Sequence, residues 1–135
     1  MWGRRQWGQW LRRPAPLTGA PQVRRMKTYA AQSGYVFHYH YLGQRPWRSA
    51  GSSGTEYVFQ ISSDRRKWRS TSILLGDDAL AGRESRLGRV LIAAERYAIA
   101  KLTLFQAFDE REDVSGELRV RAADLDAILD TLGIE

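Results

Sequence analysis

Residues 34–42, GYVFHYHYL, alternate without a break. Tyr35, Phe37, Tyr39 and Tyr41 fall on one side, and Val36, His38, His40 and Leu42 on the other. A period of two, rich in aromatic residues, predicts a β-strand with a buried aromatic face. Residues 55–62, TEYVFQIS, repeat the pattern through Tyr57, Phe59 and Ile61. A polar turn at residues 62–67 leads into a third strand from Trp68 to Leu75. The simplest pairing of three sequential strands is an antiparallel meander. Residues 43–54, with Gly43, Pro46, Gly51 and Gly54, read as a long flexible connection.

The period then changes. After Gly76-Asp77-Asp78 and a loose stretch with Gly82 and Gly88, apolar residues recur every three or four positions. Leu91, Ala94, Ala98, Leu102 and Phe105 form one stripe, and Val90, Tyr97, Leu104 and Phe108 form another. They predict one long helix from about Leu87 to Arg111. Glu117 to Arg121 has room for a short fourth strand. A last helix is expected from Ala122 to Leu132, with Asp124 and Asp126 near its start and Gly133 just past its end. The expected fold is therefore α+β: a three-stranded antiparallel meander on one long helix and a short C-terminal helix.

The net charge of +6 is unevenly placed. Residues 1–25 hold Arg4, Arg5, Arg12, Arg13, Arg24 and Arg25 and no acid. The remaining 110 residues hold 15 bases and 15 acids. Residues 1–25 thus read as a basic disordered tail or an over-extended gene start ahead of Met26, with one domain at 26–135. Arginine outnumbers lysine 18 to 3, which suits a GC-rich bacterial genome. No long uncharged apolar run is present, so no membrane span is expected, and neither is a secretory signal. The expected location is the cytoplasm.

Cysteine is absent, which removes disulfides, thiolate nucleophiles and Cys-type zinc sites. His38 and His40 share one strand face and could meet a single ion, with Glu56 as the nearest candidate carboxylate. A zinc site needs three or four ligands, so two solvent-facing histidines are the plainer reading. The acids from Asp109 to Asp113 read as a solvated helix end, and Gly51-Ser52-Ser53-Gly54 lacks the ending of a phosphate loop. No cofactor and no enzymatic activity are expected.

Two features point to partners. Arg45, Trp47, Arg48, Arg65, Arg66, Lys67, Trp68 and Arg69 form a basic and aromatic set suited to a phosphate backbone and stacked bases. Ala93, Ala100 and Ala107 recur every seven residues and, with Thr103, make a seam of small side chains on the long helix. That seam lets another backbone approach closely, either the domain's own sheet or the same helix of a second copy, and the homodimer is the favoured expectation. The leading expectation is a small non-enzymatic interaction domain that self-associates. A nucleic-acid-binding module is the alternative, and a metal-dependent enzyme at the histidine pair the third.

Overall fold

The computed structural model describes residues 15–111 and 113–135. The chain forms a five-stranded sheet in sequential order, β1 (Lys27–Ala30), β2 (Val36–Ser49), β3 (Ser52–Ser62), β4 (Arg69–Gly76) and β5 (Gly116–Arg119). Helices α1 (Asp77–Leu87) and α2 (Ala93–Glu110) lie between β4 and β5, and α3 (Ala122–Leu132) follows. The first four strands pair antiparallel, while β5 runs parallel to β4. A parallel neighbour requires a long crossover, which α1 and α2 supply. The α+β class holds; β1 is an antiparallel strand beyond the three expected, and the short strand expected near Glu117 is β5, which pairs parallel rather than extending the meander.

The alternation at 34–42 does what its period requires. Phe37 and Tyr39 of β2, Tyr57, Phe59 and Ile61 of β3, and Ile73 and Leu75 of β4 share one buried cluster with all three helices. Leu80 enters from α1, Ile99, Leu104 and Phe108 from α2, and Leu125 and Ile128 from α3. Phe37 and Phe108 stack with ring centroids 4.3 Å apart. Tyr29 of β1 stacks on Phe105 at 4.3 Å and donates to Asp109 at 2.8 Å. Asp109 also accepts the Gln32 amide, so part of the acidic helix end is structural. All three helices cover one face of the sheet.

Residues 43–54 are not a flexible connection. β2 and β3 continue through them to a two-residue hairpin at Ala50-Gly51, and Ser49 pairs with Ser52. Three local features permit this. Leu42 is an extra residue in a β-bulge, because Tyr41 pairs with Phe59 and Gly43 with the adjacent Val58. Gly43 sits at φ +131°, and a Cβ there would lie 2.7 Å from the Thr18 carbonyl oxygen. Pro46 follows two residues after Gln44, whose N–H and C=O face outward to Thr18. The missing Pro46 N–H therefore points to the open edge, where a strand tolerates it.

The stretch around Gly82 is also not loose. Asp77 and Asp78 open α1, where acids suit the positive end of the helix. Only Leu80 of α1 is fully buried, so its apolar period is too sparse to see. The long helix consequently starts at Ala93 rather than Leu87. Glu95 reaches back to accept the Ile92 amide at 2.9 Å, and Glu84 accepts that of Leu91 at 2.7 Å.

The small-residue seam lies mostly inside. Ala100 is fully buried and Ala107 nearly so, both in the core cluster. Thr103 turns its hydroxyl back to the Ile99 carbonyl, and only Ala93 is exposed. The wide apolar band of α2 is thus covered by the chain's own sheet, β1 and α3.

Residues 1–14, with Arg4, Arg5, Arg12 and Arg13 of the basic tail, lie outside the described residues. Thr18 exchanges two backbone hydrogen bonds with Gln44, both 2.8 Å, along the edge of β2. Among the described residues no helix is long and apolar enough to cross a membrane.

Candidate functional site

The face of the sheet opposite the helices carries the predicted basic and aromatic residues. On β3 the residues alternating with the core are Glu56, Val58 and Gln60, and on β4 they are Ser70, Ser72 and Leu74. On β2 the bulge reverses the phase. His38 and His40 before it share this face with Arg45 and Trp47 after it, because Arg45 pairs with Glu56 and Trp47 with Gly54. An unbroken alternation would have sent Arg45 and Trp47 to the core side with Tyr39 and Tyr41.

Two aromatic groups stand at opposite ends of this face. At one end His40 packs on Trp68 with centroids 4.7 Å apart, and the His40 Nδ1 is buried without a hydrogen-bond partner among the described residues. At the other end the Arg119 guanidinium lies 4.6 Å from the Trp47 ring centre. Arg119 stands on β5 opposite Leu74, so the two side chains meet above β3 and β4. Leu74 and Val58 are only 2% and 6% exposed although neither belongs to the cluster under the described helices. The pairing rows of Trp47 and His40 are six residues apart on β3, which is roughly 20 Å at strand rise.

Between these ends, Arg45 Nε donates to Glu56 at 2.7 Å and Ser72 donates to the same carboxylate. Burial alone would raise the Glu56 carboxyl, but its hydrogen bonds from Arg45 and Ser72 and the Arg45 charge together hold it below its ordinary value. A depressed carboxylate contributes stability above its unfolded value, and that stability is lost as pH falls through the folded one. Glu56→Gln is therefore expected to cost about 1 kcal/mol at pH 7. The difference from the parent should shrink below about pH 4. Urea denaturation at pH 7 and pH 3 measures both, and an equal gap at the two pH values would refute the ion pair.

The β3–β4 turn is held from within. Ser62 Oγ accepts the amides of Asp64 and Arg65, and Asp64 accepts those of Arg66 and Lys67 at 2.8 and 2.9 Å. The backbone bonds from Lys67 and Arg66 lower the Asp64 carboxyl to about 2. Arg65 adopts φ +64°, uncommon for a residue with a side chain. The turn thus projects Arg65, Arg66 and Lys67 into solvent beside Trp68.

The predicted set is only partly brought together as free charge. Arg45 is paired with Glu56, and Arg69 with Asp113 at 2.6 Å. Arg48, Arg65, Arg66 and Lys67 have no carboxylate within 4 Å among the described residues. Arg119 belongs to the site and was not in the predicted set. Its strand lies far along the sequence, and only the parallel pairing with β4 carries it here. The histidine pair and Glu56 are not brought together. Glu56 faces Arg45, while His40 faces Gln60 four residues further along β3, roughly 13 Å away. His38 Nδ1 lies 3.4 Å from the Thr28 hydroxyl. Among the described residues no three His, Asp or Glu side chains group as metal ligands.

Comparison with family models, curated proteins and solved structures returns no match.

Proposed function

We propose that this chain is a binding module that lays a single nucleic-acid strand along the helix-free face of its sheet. The observation that carries the reading is the pair of tryptophans, Trp47 and Trp68, held at opposite ends of a sheet face that no described helix covers and flanked by cations without a carboxylate partner among the described residues. Flat side chains stack bases of any sequence, and neighbouring cations follow the phosphates. The ~20 Å between them along β3 suits an extended strand contacting both ends. Arg48 lies beyond Trp47, and Arg65, Arg66 and Lys67 lie next to Trp68, so charge and stacking surface coincide at each end.

The test is fluorescence anisotropy of a labelled 20-nucleotide oligo-uridine with the full chain across salt concentrations. Base stacking contributes about 1–3 kcal/mol per base. Replacing Trp47 and Trp68 together with alanine should therefore weaken binding by at least about tenfold without changing the salt slope. Reversing Arg65, Arg66 and Lys67 to glutamate should lower the log–log slope by about 2, at roughly 0.7 per phosphate contact. The arginines before residue 26 would bind any polyanion, but they do not respond to the tryptophan change. Unaltered affinity in the double tryptophan variant, with its circular dichroism intact, would end this reading.

A further inference from the structure

On the helix-bearing side, a cleft of about 760 Å³ opens where residues 19–27 pass the edge of β2 and the first turns of α2. That volume is in the usual range for small-molecule sites. Tyr39 and Tyr41 of β2, with Ala93, Ala94 and Tyr97 of α2, form its apolar floor. The rings of Tyr41 and Tyr97 lie 4.7 Å apart. Arg24, Arg25, Lys27 and Gln44 form the rim, and among the described residues no lining side chain is acidic.

The charged groups lining this cleft, Arg24, Arg25 and Lys27, are all hydrogen-bond donors. Burial pushes the Tyr39 hydroxyl up to about 12 and that of Tyr41 higher still, so both phenols keep their protons at neutral pH. The Gln44 side-chain oxygen already accepts from the Tyr41 hydroxyl at 3.2 Å. Lys101, one turn beyond Tyr97, is held below its ordinary value by burial and by the nearby Lys27 ammonium. Among the described residues, Arg24, Arg25, Lys27 and Lys101 have no carboxylate within 4 Å. Uncompensated like charges beside an aromatic floor favour an occupant that supplies acceptors, negative charge and apolar surface together.

We infer that this cleft binds a small molecule joining a phosphate or carboxylate group to a flat apolar body. Its occupant is independent of any strand on the opposite face. Isothermal titration of the full chain tests it with AMP, phenyl phosphate and phenylacetate, against inorganic phosphate and adenosine as half-ligands. At least one amphipathic anion should bind about tenfold or more tighter than either half-ligand, a gap of about 1.4 kcal/mol. Preference between phenyl phosphate and phenylacetate assigns the headgroup. Ala94→Phe, at an exposed helix position facing the cleft, should abolish that binding, and Lys27→Gln should weaken it about tenfold. The double alanine variant of Trp47 and Trp68 should leave it unchanged. No binding by any of the three anions at 10 mM (roughly a 3 kcal/mol ceiling), equal binding of adenosine, or binding that survives Ala94→Phe would overturn the assignment.

Discussion

Ala100→Glu is expected to yield a chain that does not fold. Ala100 is fully buried on α2 and belongs to the cluster that contains Phe37, Phe59 and Ile73. A glutamate there must either lose its hydration or push α2 from the sheet. An unpaired buried charge costs about 3–5 kcal/mol, and overpacking adds about 1–3 kcal/mol. Domains of this size are stable by only about 5–15 kcal/mol, so the sum is comparable with the whole. Ala100→Gly, which removes one methyl group and loosens the helix, should cost about 1 kcal/mol and remain folded. Ala93→Glu, at the exposed start of the same helix, should change stability by less than about 0.5 kcal/mol. Circular dichroism and proton NMR of the three proteins decide it. A soluble, folded Ala100→Glu variant would mean that this helix face is open, as the homodimer expectation requires.

That contrast marks where sequence reasoning reached and where it stopped. Periodicity identified the aromatic face of β2, the turn at 62–67 and the C-terminal helix, because each is a local pattern on one element. It could not see across the bulge. An extra residue at Leu42 reverses which side chains face the core, and nothing in the one-letter string announces it. Ten of the twelve residues of expected loop are paired strand on either side of the Ala50-Gly51 turn. α1 was invisible because one buried leucine in eleven positions gives no period. β5 was only a possibility because four residues of strand gain their meaning from a parallel neighbour more than forty positions away. The basic and aromatic set was legible as a list. That Glu56 and Asp113 neutralise two of its arginines, and that Arg119 joins it, depends on register alone. The cleft by Tyr97 left no mark either, since its cations and its rings come from three separate elements.

Gly54→Ala should destabilise the protein far more than alanine at the glycine paired with it. Gly54 lies on β3 between Trp47 on one side and Gly76 on the other. A Cβ on Gly54 would collide with the Leu75 carbonyl oxygen and stand 2.9 Å from the Gly76 Cα. Both obstacles are backbone, so no side-chain rotation relieves them, and β3 and β4 must separate at this end. The expected cost is about 3 kcal/mol, at the upper end for a single substitution. A Cβ on Gly76 meets only the Ser53 oxygen, at 4.0 Å, so Gly76→Ala should stay within about 0.5 kcal/mol of the parent. Urea denaturation of the two variants isolates the close approach from any general effect of removing glycine. The strain also reaches the proposed binding face, because the Trp47 ring and the Arg119 guanidinium meet above this crossing of strands. Gly54→Ala should therefore weaken oligo-uridine binding even at temperatures where the protein stays folded, while Gly76→Ala should not. If Gly54→Ala proves as stable as Gly76→Ala, then β3 and β4 are not in this register, and the placement of Trp47 opposite Gly54 falls with it.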